Sequence, residues 1–82
     1  MKEQIVRVEW VDSCSDSGWN KRSFYEKDTC VSKCESVGFL LKKTRTEITI
    51  FLSKSHTTGQ ITELMTIPRK AVTKLYYVKA DK

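Results

Sequence analysis

Short stretches of alternating apolar and polar residues recur along the chain, and polar loops separate them. A period of two is typical of β-strands that bury one face. Pro68 ends one of these stretches, because proline has no N–H to donate to a ladder, and Arg69-Lys70-Ala71 is short enough for one tight turn. The alternation predicts five strands, at residues 5–11, 36–41, 47–52, 61–67 and 72–78.

The segment 19–33 shows no clear alternation. Asn20 or Ser23 is placed to cap a short helix, and Glu26 lies three residues after Ser23, as in a capping box. Five short strands with a tight turn before the last are typical of a small barrel. The predicted fold is therefore mostly β, a single five-stranded small barrel over residues 1–82, with a long first loop that carries a short helix.

Closure of the sheet into a barrel follows from the apolar residues. A flat five-stranded sheet would leave two long edges and one exposed apolar face, whereas a barrel buries the alternating set. An OB-fold is the nearest alternative, although it has a helix where this chain has a short loop after its third strand. Phe51, Tyr76 and Tyr77 alternate out of the core and are expected at a subunit interface. The predicted core consists of Val6, Val8, Trp10, Val37, Phe39, Leu41, Ile48, Ile50, Leu52, Met65, Ile67 and Leu75.

The length and charge of the chain favour assembly and anionic partners. A domain of 82 residues has a marginal core and often gains stability from partner subunits, so a homo-oligomer is expected. The net charge of +5 favours phosphate-bearing partners, although scattered lysines and arginines on a solvated surface account for the same charge. No apolar run approaches the roughly 20 residues needed to cross a bilayer, and no apolar run of signal-peptide length follows the polar first residues, Met1-Lys2-Glu3-Gln4. A cytoplasmic protein without a membrane partner is expected.

Three cysteines, Cys14, Cys30 and Cys34, are an odd number and cannot all pair within the chain. Reduced thiols are therefore expected. Together with His56 they have the composition of a Cys₃His zinc site, but the second closely spaced ligand pair of such sites is missing. The prediction is three free cysteines, no bound metal and no cofactor.

Catalytic chemistry finds little support in the sequence. His56 is the only histidine, and no carboxylate that would orient it as a general base is visible in the sequence. Glycine-rich phosphate loops are absent, since the three glycines are isolated. We expect a binding protein rather than an enzyme, with no catalytic residues.

The loop after the first strand is the most suggestive binding segment. Ser13 and Ser15 offer hydroxyls to a phosphate or ribose, and Trp19 offers an aromatic plane on which a base could stack. Trp19 could equally cap the open end of the barrel, with the serines bonded to the turn backbone. The candidate ligand-binding residues are Ser13, Ser15, Trp19, Ser36, Arg69 and Lys70.

Several short motifs occur in an order that resembles known proteins. Elements of SH3-like and Sm-like small barrels are matched by Val37-Gly38-Phe39-Leu40-Leu41, Ile48-Thr49-Ile50-Phe51 and Ile67-Pro68-Arg69-Lys70-Ala71-Val72. The chain is more closely similar to a set of uncharacterised small proteins encoded by bacteriophages. That similarity spans about residues 6–78 and rests on Val8-Glu9-Trp10-Val11-Asp12-Ser13, Gly18-Trp19, Ser36-Val37-Gly38-Phe39 and Ile67-Pro68-Arg69-Lys70-Ala71-Val72.

The resemblance to Sm-like proteins implies a ring in which the turn with Arg69 and Lys70 faces the pore and contacts phosphates or bases. The chain departs from Sm-like proteins in two ways. Sm-like proteins begin with a helix, whereas this chain begins with a strand, and their RNA-reading positions carry an aspartate and an asparagine where residues 43–49 have neither. The resemblance therefore implies ring assembly more strongly than it implies RNA specificity. The leading hypothesis is a non-enzymatic, ring-forming phage protein that binds a nucleotide ligand. That ligand is a cyclic dinucleotide of a host defence pathway, slightly favoured, or single-stranded RNA. A protein-interaction module that caps or inhibits a host protein is the alternative.

Overall fold

Each alternating stretch of the sequence forms a strand. The computed structural model of the protein describes residues 3–15, 17–27 and 31–79. The strands and the single α-helix in these ranges are β1 (Ile5–Asp12), α1 (Arg22–Lys27), β2 (Ser32–Lys43), β3 (Glu47–Lys54), β4 (Ile61–Pro68) and β5 (Val72–Val78). A one-turn 3₁₀ helix, Arg69–Ala71, joins β4 to β5. β2 is twice as long as predicted and begins four residues earlier, at Ser32.

The five strands form one antiparallel sheet in the order β4-β3-β2-β1-β5. The predicted mostly-β, five-stranded architecture is confirmed at this level. The sheet is not closed into the predicted barrel. β4 is hydrogen-bonded to β3 and β5 to β1, so the outer sides of β4 and β5 remain edges of the sheet.

The core lies on one face of the sheet. Val6 and Val8 of β1 point to this face, and Ile48, Ile50 and Ile67 of β3 and β4 meet them there. All five were predicted core residues, and each is at least 96% buried. The half-buried residues packed against them are Trp10, Leu40, Ala71, Val72 and Leu75.

The face that β2 turns to the core was predicted wrongly. Val6 lies opposite Gly38, and Val8 lies opposite Ser36, so these β2 residues share the core face. Val37 therefore points to the other face, where 57% of it is exposed. Leu41 is the extra residue of a bulge between Leu40 and Lys42, and it is also exposed. Because side chains alternate with a period of two, a shift of one residue reverses the whole pattern.

Phe51 and Leu52 were predicted to be exposed and buried, respectively, and the structure shows the reverse. Phe51 was expected on the outer surface but is only 2% exposed, and its ring centroid lies 5.4 Å from that of Phe39. Leu52, a predicted core residue, is 62% exposed. Met65, also predicted in the core, is 42% exposed on edge strand β4. The sheet thus buries aromatic residues on the face opposite the aliphatic core.

Helix α1 lies in the connection between β1 and β2. Its first hydrogen bond runs from the N–H of Phe24 to the carbonyl of Lys21 (3.0 Å), so Ser23 lies inside the helix and does not cap it. Arg22 and Glu26 form an i,i+4 ion pair at 3.5 Å. None of the six helical residues is buried. The molecule measures 55 × 26 × 24 Å, and β2 alone spans about 40 Å. Across the described ranges no helix is long and apolar enough to span a membrane.

Candidate functional site

An exposed aromatic residue dominates the connection between β1 and β2. Trp19 is 100% exposed, so it does not cap an end of the sheet, which was the structural alternative considered for it. The residues on both sides of it are held by Tyr25. The Tyr25 hydroxyl donates to the carbonyl of Gly18 (3.1 Å) and accepts from Nδ2 of Asn20 (3.1 Å). These two hydrogen bonds, which we call the Tyr25 bracket, tie the Gly18 backbone and the Asn20 side chain to helix α1 on either side of Trp19.

Cationic side chains follow Trp19 in sequence, within what we call the aromatic-basic segment, residues 17–27. Lys21, Arg22 and Lys27 are all exposed, and only Arg22 takes part in a described ion pair. Phe24 is 47% exposed and packs edge-on against Tyr25, with ring centroids 5.5 Å apart. The segment therefore combines an exposed aromatic plane with positive charge, as sites for single-stranded nucleic acids do.

Ser13 and Ser15 follow β1 and are exposed. The backbone N–H of Ser13 donates to Oδ1 of Asp12 at 2.8 Å, so the start of this loop is shaped by a side chain–backbone hydrogen bond. The described geometry places neither hydroxyl in a cleft with Trp19.

Ser36 serves the packing of the core face. Its Oγ accepts a hydrogen bond from Nε1 of Trp10 (3.0 Å) and lies 3.7 Å from the sulfur of Met65, to which it donates. Buried indole N–H groups need such a partner. The predicted role of Ser36 in ligand binding therefore competes with a structural role that the sequence did not reveal.

Arg69 ties two turns together. Its backbone N–H donates to the carbonyl of Thr46 (2.9 Å), and its Nη1 donates to the carbonyl of Thr44 (2.9 Å), both in the β2–β3 turn. Lys70 is exposed beside it. Neither residue lines either of the two clefts described below.

A cleft of about 440 Å³ lies where β1 and β2 extend past β5. Beside it the Arg7 guanidinium forms an ion pair with Glu35, another with Glu9 (3.1 Å), and a cation–π contact with Tyr76, 4.0 Å from the ring centroid. The hydrogen bond to Glu35 is the main reason that the pKa of Arg7 is raised, so Arg7 stays charged. The cleft is lined by Glu9, Trp10, Val11, Lys33, Cys34, Glu35 and Thr73.

A second cleft, about 310 Å³, separates β2 from β3 and β4. It was not predicted, because the sequence placed most of its apolar residues in a closed core. One feature of the sequence could have indicated this cleft. Ser36 and Gly38 are small residues that alternate along β2, and they lie on the face shared with Val6 and Val8. The cleft is lined by Ser36, Val37, Ile50, Phe51, Leu52, Glu63, Leu64 and Met65.

The thiols and the histidine are spread over separate elements. Cys14 is exposed in the loop after β1, Cys34 is a half-buried free thiol in β2, and His56 is in the β3–β4 turn. Cys30 lies outside the described residues, and Cys34 belongs to strand β2. In the part of the chain that the structure describes, no three His, Cys, Asp or Glu residues are grouped to hold a metal ion.

Comparison with known proteins finds no matching protein family, no matching curated protein and no matching solved structure.

Proposed function

We propose that this protein is a non-enzymatic binding protein that stacks a nucleobase on Trp19 and contacts phosphates with the basic residues of the aromatic-basic segment. The observation that carries this proposal is the full exposure of Trp19, which lies between two residues that are hydrogen-bonded to Tyr25. An indole that packs on nothing contributes nothing to the core, whereas it offers a stacking surface worth about 1–3 kcal/mol per base. Lys21, Arg22 and Lys27 supply the positive charge that a phosphate backbone needs.

Single-stranded nucleic acid fits this geometry better than a small nucleotide. Small-ligand sites are concave and bury most of the ligand, but Trp19 is fully exposed and lines neither of the two clefts described above. An open aromatic surface with flexible cations suits a strand that runs along it. The cyclic-dinucleotide version, a sponge for a host signal, rests on the resemblance to phage proteins and requires a pocket between subunits.

Trp19→Ala is expected to weaken binding of a fluorescein-labelled 12-mer of oligouridylate by about 5- to 150-fold, which corresponds to the loss of one stacked base. Trp19→Phe, which keeps an aromatic plane, should lose less. Tyr25→Phe keeps the ring that packs on Phe24 but removes both hydrogen bonds of the bracket, so we expect a roughly 2- to 10-fold loss. Fluorescence anisotropy measures all three, and thermal melts of the variants should match the parent.

The salt dependence separates the two ligands. Three cations on phosphates predict that log Kobs falls with log[salt] with a slope of about −2 for a single strand. A cyclic dinucleotide held in an enclosed pocket should respond much less. If the parent binds neither ligand, or Trp19→Ala binds as the parent does, the nucleotide proposal is wrong and a protein-interaction module becomes the better account.

We also propose that the protein assembles through the open edges of its sheet. β4 and β5 each present one side without a ladder partner in the described chain, and such edges pair with other strands. Pairing of β5 in one copy with β4 in the next is head-to-tail and gives a ring if the rotation closes. Phe51, once expected at this interface, is buried and takes no part, whereas Tyr77 and Val78 of β5 are nearly half exposed.

Light scattering at micromolar concentration should therefore give a mass that is a multiple of 9.5 kDa. Val78→Lys places a charge beside the β5 edge and should shift the mass toward the monomer. Leu41→Lys is the matched control, because Leu41 is equally exposed (46% for both residues) but lies on inner strand β2. A monomer for the parent protein would refute the assembly.

A further inference from the structure

The second cleft opens where two neighbouring strands separate. β2 pairs with β1 from Ser32 to Phe39, but its pairing with β3 begins only at Phe39, opposite Phe51. Beyond that point β3 pairs with β4 alone, up to Lys54. Within the described chain, residues 32–38 of β2 therefore have no strand on their β3 side. Their outward N–H and C=O groups form a free ladder edge inside the sheet rather than at its margin.

Gly38 marks the point at which the strands come together. A Cβ atom on Gly38 would lie 3.0 Å from the carbonyl oxygen of Phe51 and 3.2 Å from two side-chain atoms of Ile50. The strands are in close contact here, and they diverge on the side toward Ser36 and Leu52. The cleft is thus a wedge with a backbone edge along one wall.

Apolar side chains surround this wedge and are exposed to solvent. Ile50 and Phe51 are buried at its base, while Leu52 and Leu64 are 62% and 55% exposed at its rim. Val37 is 57% exposed on the β2 wall. Exposed apolar residues that converge on one cleft are typical of interaction sites, whereas isolated ones are common on any surface.

The rim carries one carboxylate, that of Glu63. Glu63 lines the cleft and takes part in none of the ion pairs found among the described residues. Its φ of +59° is rare for a residue with a side chain, and the ladder between β3 and β4 omits it, between Leu64 and Thr62. The carboxylate therefore stands opposite Leu52, at a position where the β3–β4 ladder skips one pair without a change of register, next to the apolar wedge.

We propose that this wedge binds an extended, basic-apolar peptide segment of a partner protein by strand addition to residues 32–38 of β2. Main-chain hydrogen bonds to the free edge would supply affinity, alternate apolar side chains would enter the cleft, and a lysine or arginine would pair with Glu63. This site is separate from the aromatic-basic segment and does not depend on nucleotide binding. A second copy of the chain is a poorer occupant, because the edges of β4 and β5 can pair without entering the wedge.

The test uses a fluorescein-labelled hexapeptide of alternating valine and lysine, with fluorescence anisotropy as the readout. The parent protein should bind it, although both partners are cationic. Leu52→Lys should weaken binding at least about tenfold, because it places a charge in the apolar wedge. Leu41→Lys, the same change at an exposed position of β2 outside the cleft, should bind as the parent does. N-methylation of alternate peptide nitrogens should abolish binding if the backbone edge is used.

Replacing the lysines of the peptide with glutamates should weaken binding in the parent, and Glu63→Gln should reduce that preference. Thermal melts establish that each variant is folded, and Trp19→Ala should bind the peptide normally, which keeps this result distinct from the nucleotide proposal. The proposal is overturned if the parent does not bind the peptide, if Leu52→Lys binds it equally, or if N-methylation has no effect. It is also overturned if Leu52→Lys changes only the oligomeric mass, since the occupant is then a second copy.

Discussion

Phe51→Ala is expected to lower the free energy of unfolding by about 3–5 kcal/mol, the usual cost of removing a buried aromatic side chain. Phe51 is 2% exposed and packs against Phe39, so its removal leaves a cavity on the face of the sheet opposite the aliphatic core. Leu52→Ala, one residue later, should change stability by less than about 0.5 kcal/mol, because most of the Leu52 side chain is already in solvent. The sequence alone predicts the opposite order.

Urea denaturation measured by fluorescence compares the two variants directly. The total stability of a domain of 82 residues is about 4–12 kcal/mol, so Phe51→Ala removes a large fraction of it and leaves the protein partly unfolded at 37 °C. Similar losses for both variants, or a larger loss for Leu52→Ala, would show that Leu52 rather than Phe51 is the buried residue at this point of β3.

The strands of this protein could be predicted because each strand combines alternation with a clear stop. β3 and β5 are rich in β-branched and aromatic residues, and Pro68 ends β4 where the lack of an N–H requires it. On β1 the prediction of the buried face also succeeded, because Val6, Val8 and Trp10 share one side while charged Arg7 and Glu9 occupy the middle of the other.

The same reasoning could not choose a face for β2. Val37 and Phe39 are apolar on one side, but the other side holds Ser36, Gly38 and Leu40, which the structure turns to the core. Small residues can fill a core position when a larger partner lies across the ladder, and the sequence of one strand does not report its partner. Register across strands, rather than alternation within them, decided the outcome.

The candidate site was predictable only where it depends on local sequence. Trp19 follows a glycine in a polar loop, outside any strand pattern, and it is fully exposed. Ser36 and Arg69 are hydrogen-bonded to Trp10 and Thr44, which lie 26 and 25 residues away in the chain. Contacts at such separations follow from the sheet topology, so residue type alone identified a hydroxyl and a guanidinium without showing that the fold already uses them.

The open sheet follows from the distribution of apolar residues over both faces. A barrel would gather one apolar set inside, but here Phe39 and Phe51 pack on the face opposite Val6 and Val8. Burying both sets leaves Leu52 and Leu64 exposed beside the gap between β2 and β3. A closed barrel would have neither free edges nor an exposed apolar region. In the open sheet, assembly is proposed at the edges of β4 and β5, and peptide binding is proposed at the exposed apolar wedge.

Two glycines should respond to substitution in opposite ways. At Gly38 a larger residue is disfavoured by lack of space. An added Cβ would lie 3.0 Å from the backbone oxygen of Phe51, which belongs to the paired strand and cannot rotate away. Gly38→Ala should cost about 1–2 kcal/mol, and Gly38→Val about 3 kcal/mol, as overpacking forces β2 and β3 apart. At Gly59 a larger residue is disfavoured by the backbone conformation, because the φ of Gly59 is +79°, whereas nothing lies within 4 Å of the added Cβ.

Asparagine distinguishes the two cases. Asn tolerates the left-handed region better than Ala does, so Gly59→Asn should be more stable than Gly59→Ala. At Gly38 the larger Asn side chain meets the same backbone oxygen, so Gly38→Asn should be less stable than Gly38→Ala. Thermal melts of the five variants measure both rankings, at about 4–8 °C per kcal/mol for a domain of this size. If Gly38→Asn and Gly38→Val melt with the parent, β2 and β3 are not in close contact at this point. The wedge that opens from it would then lack the rigid apex on which peptide binding depends.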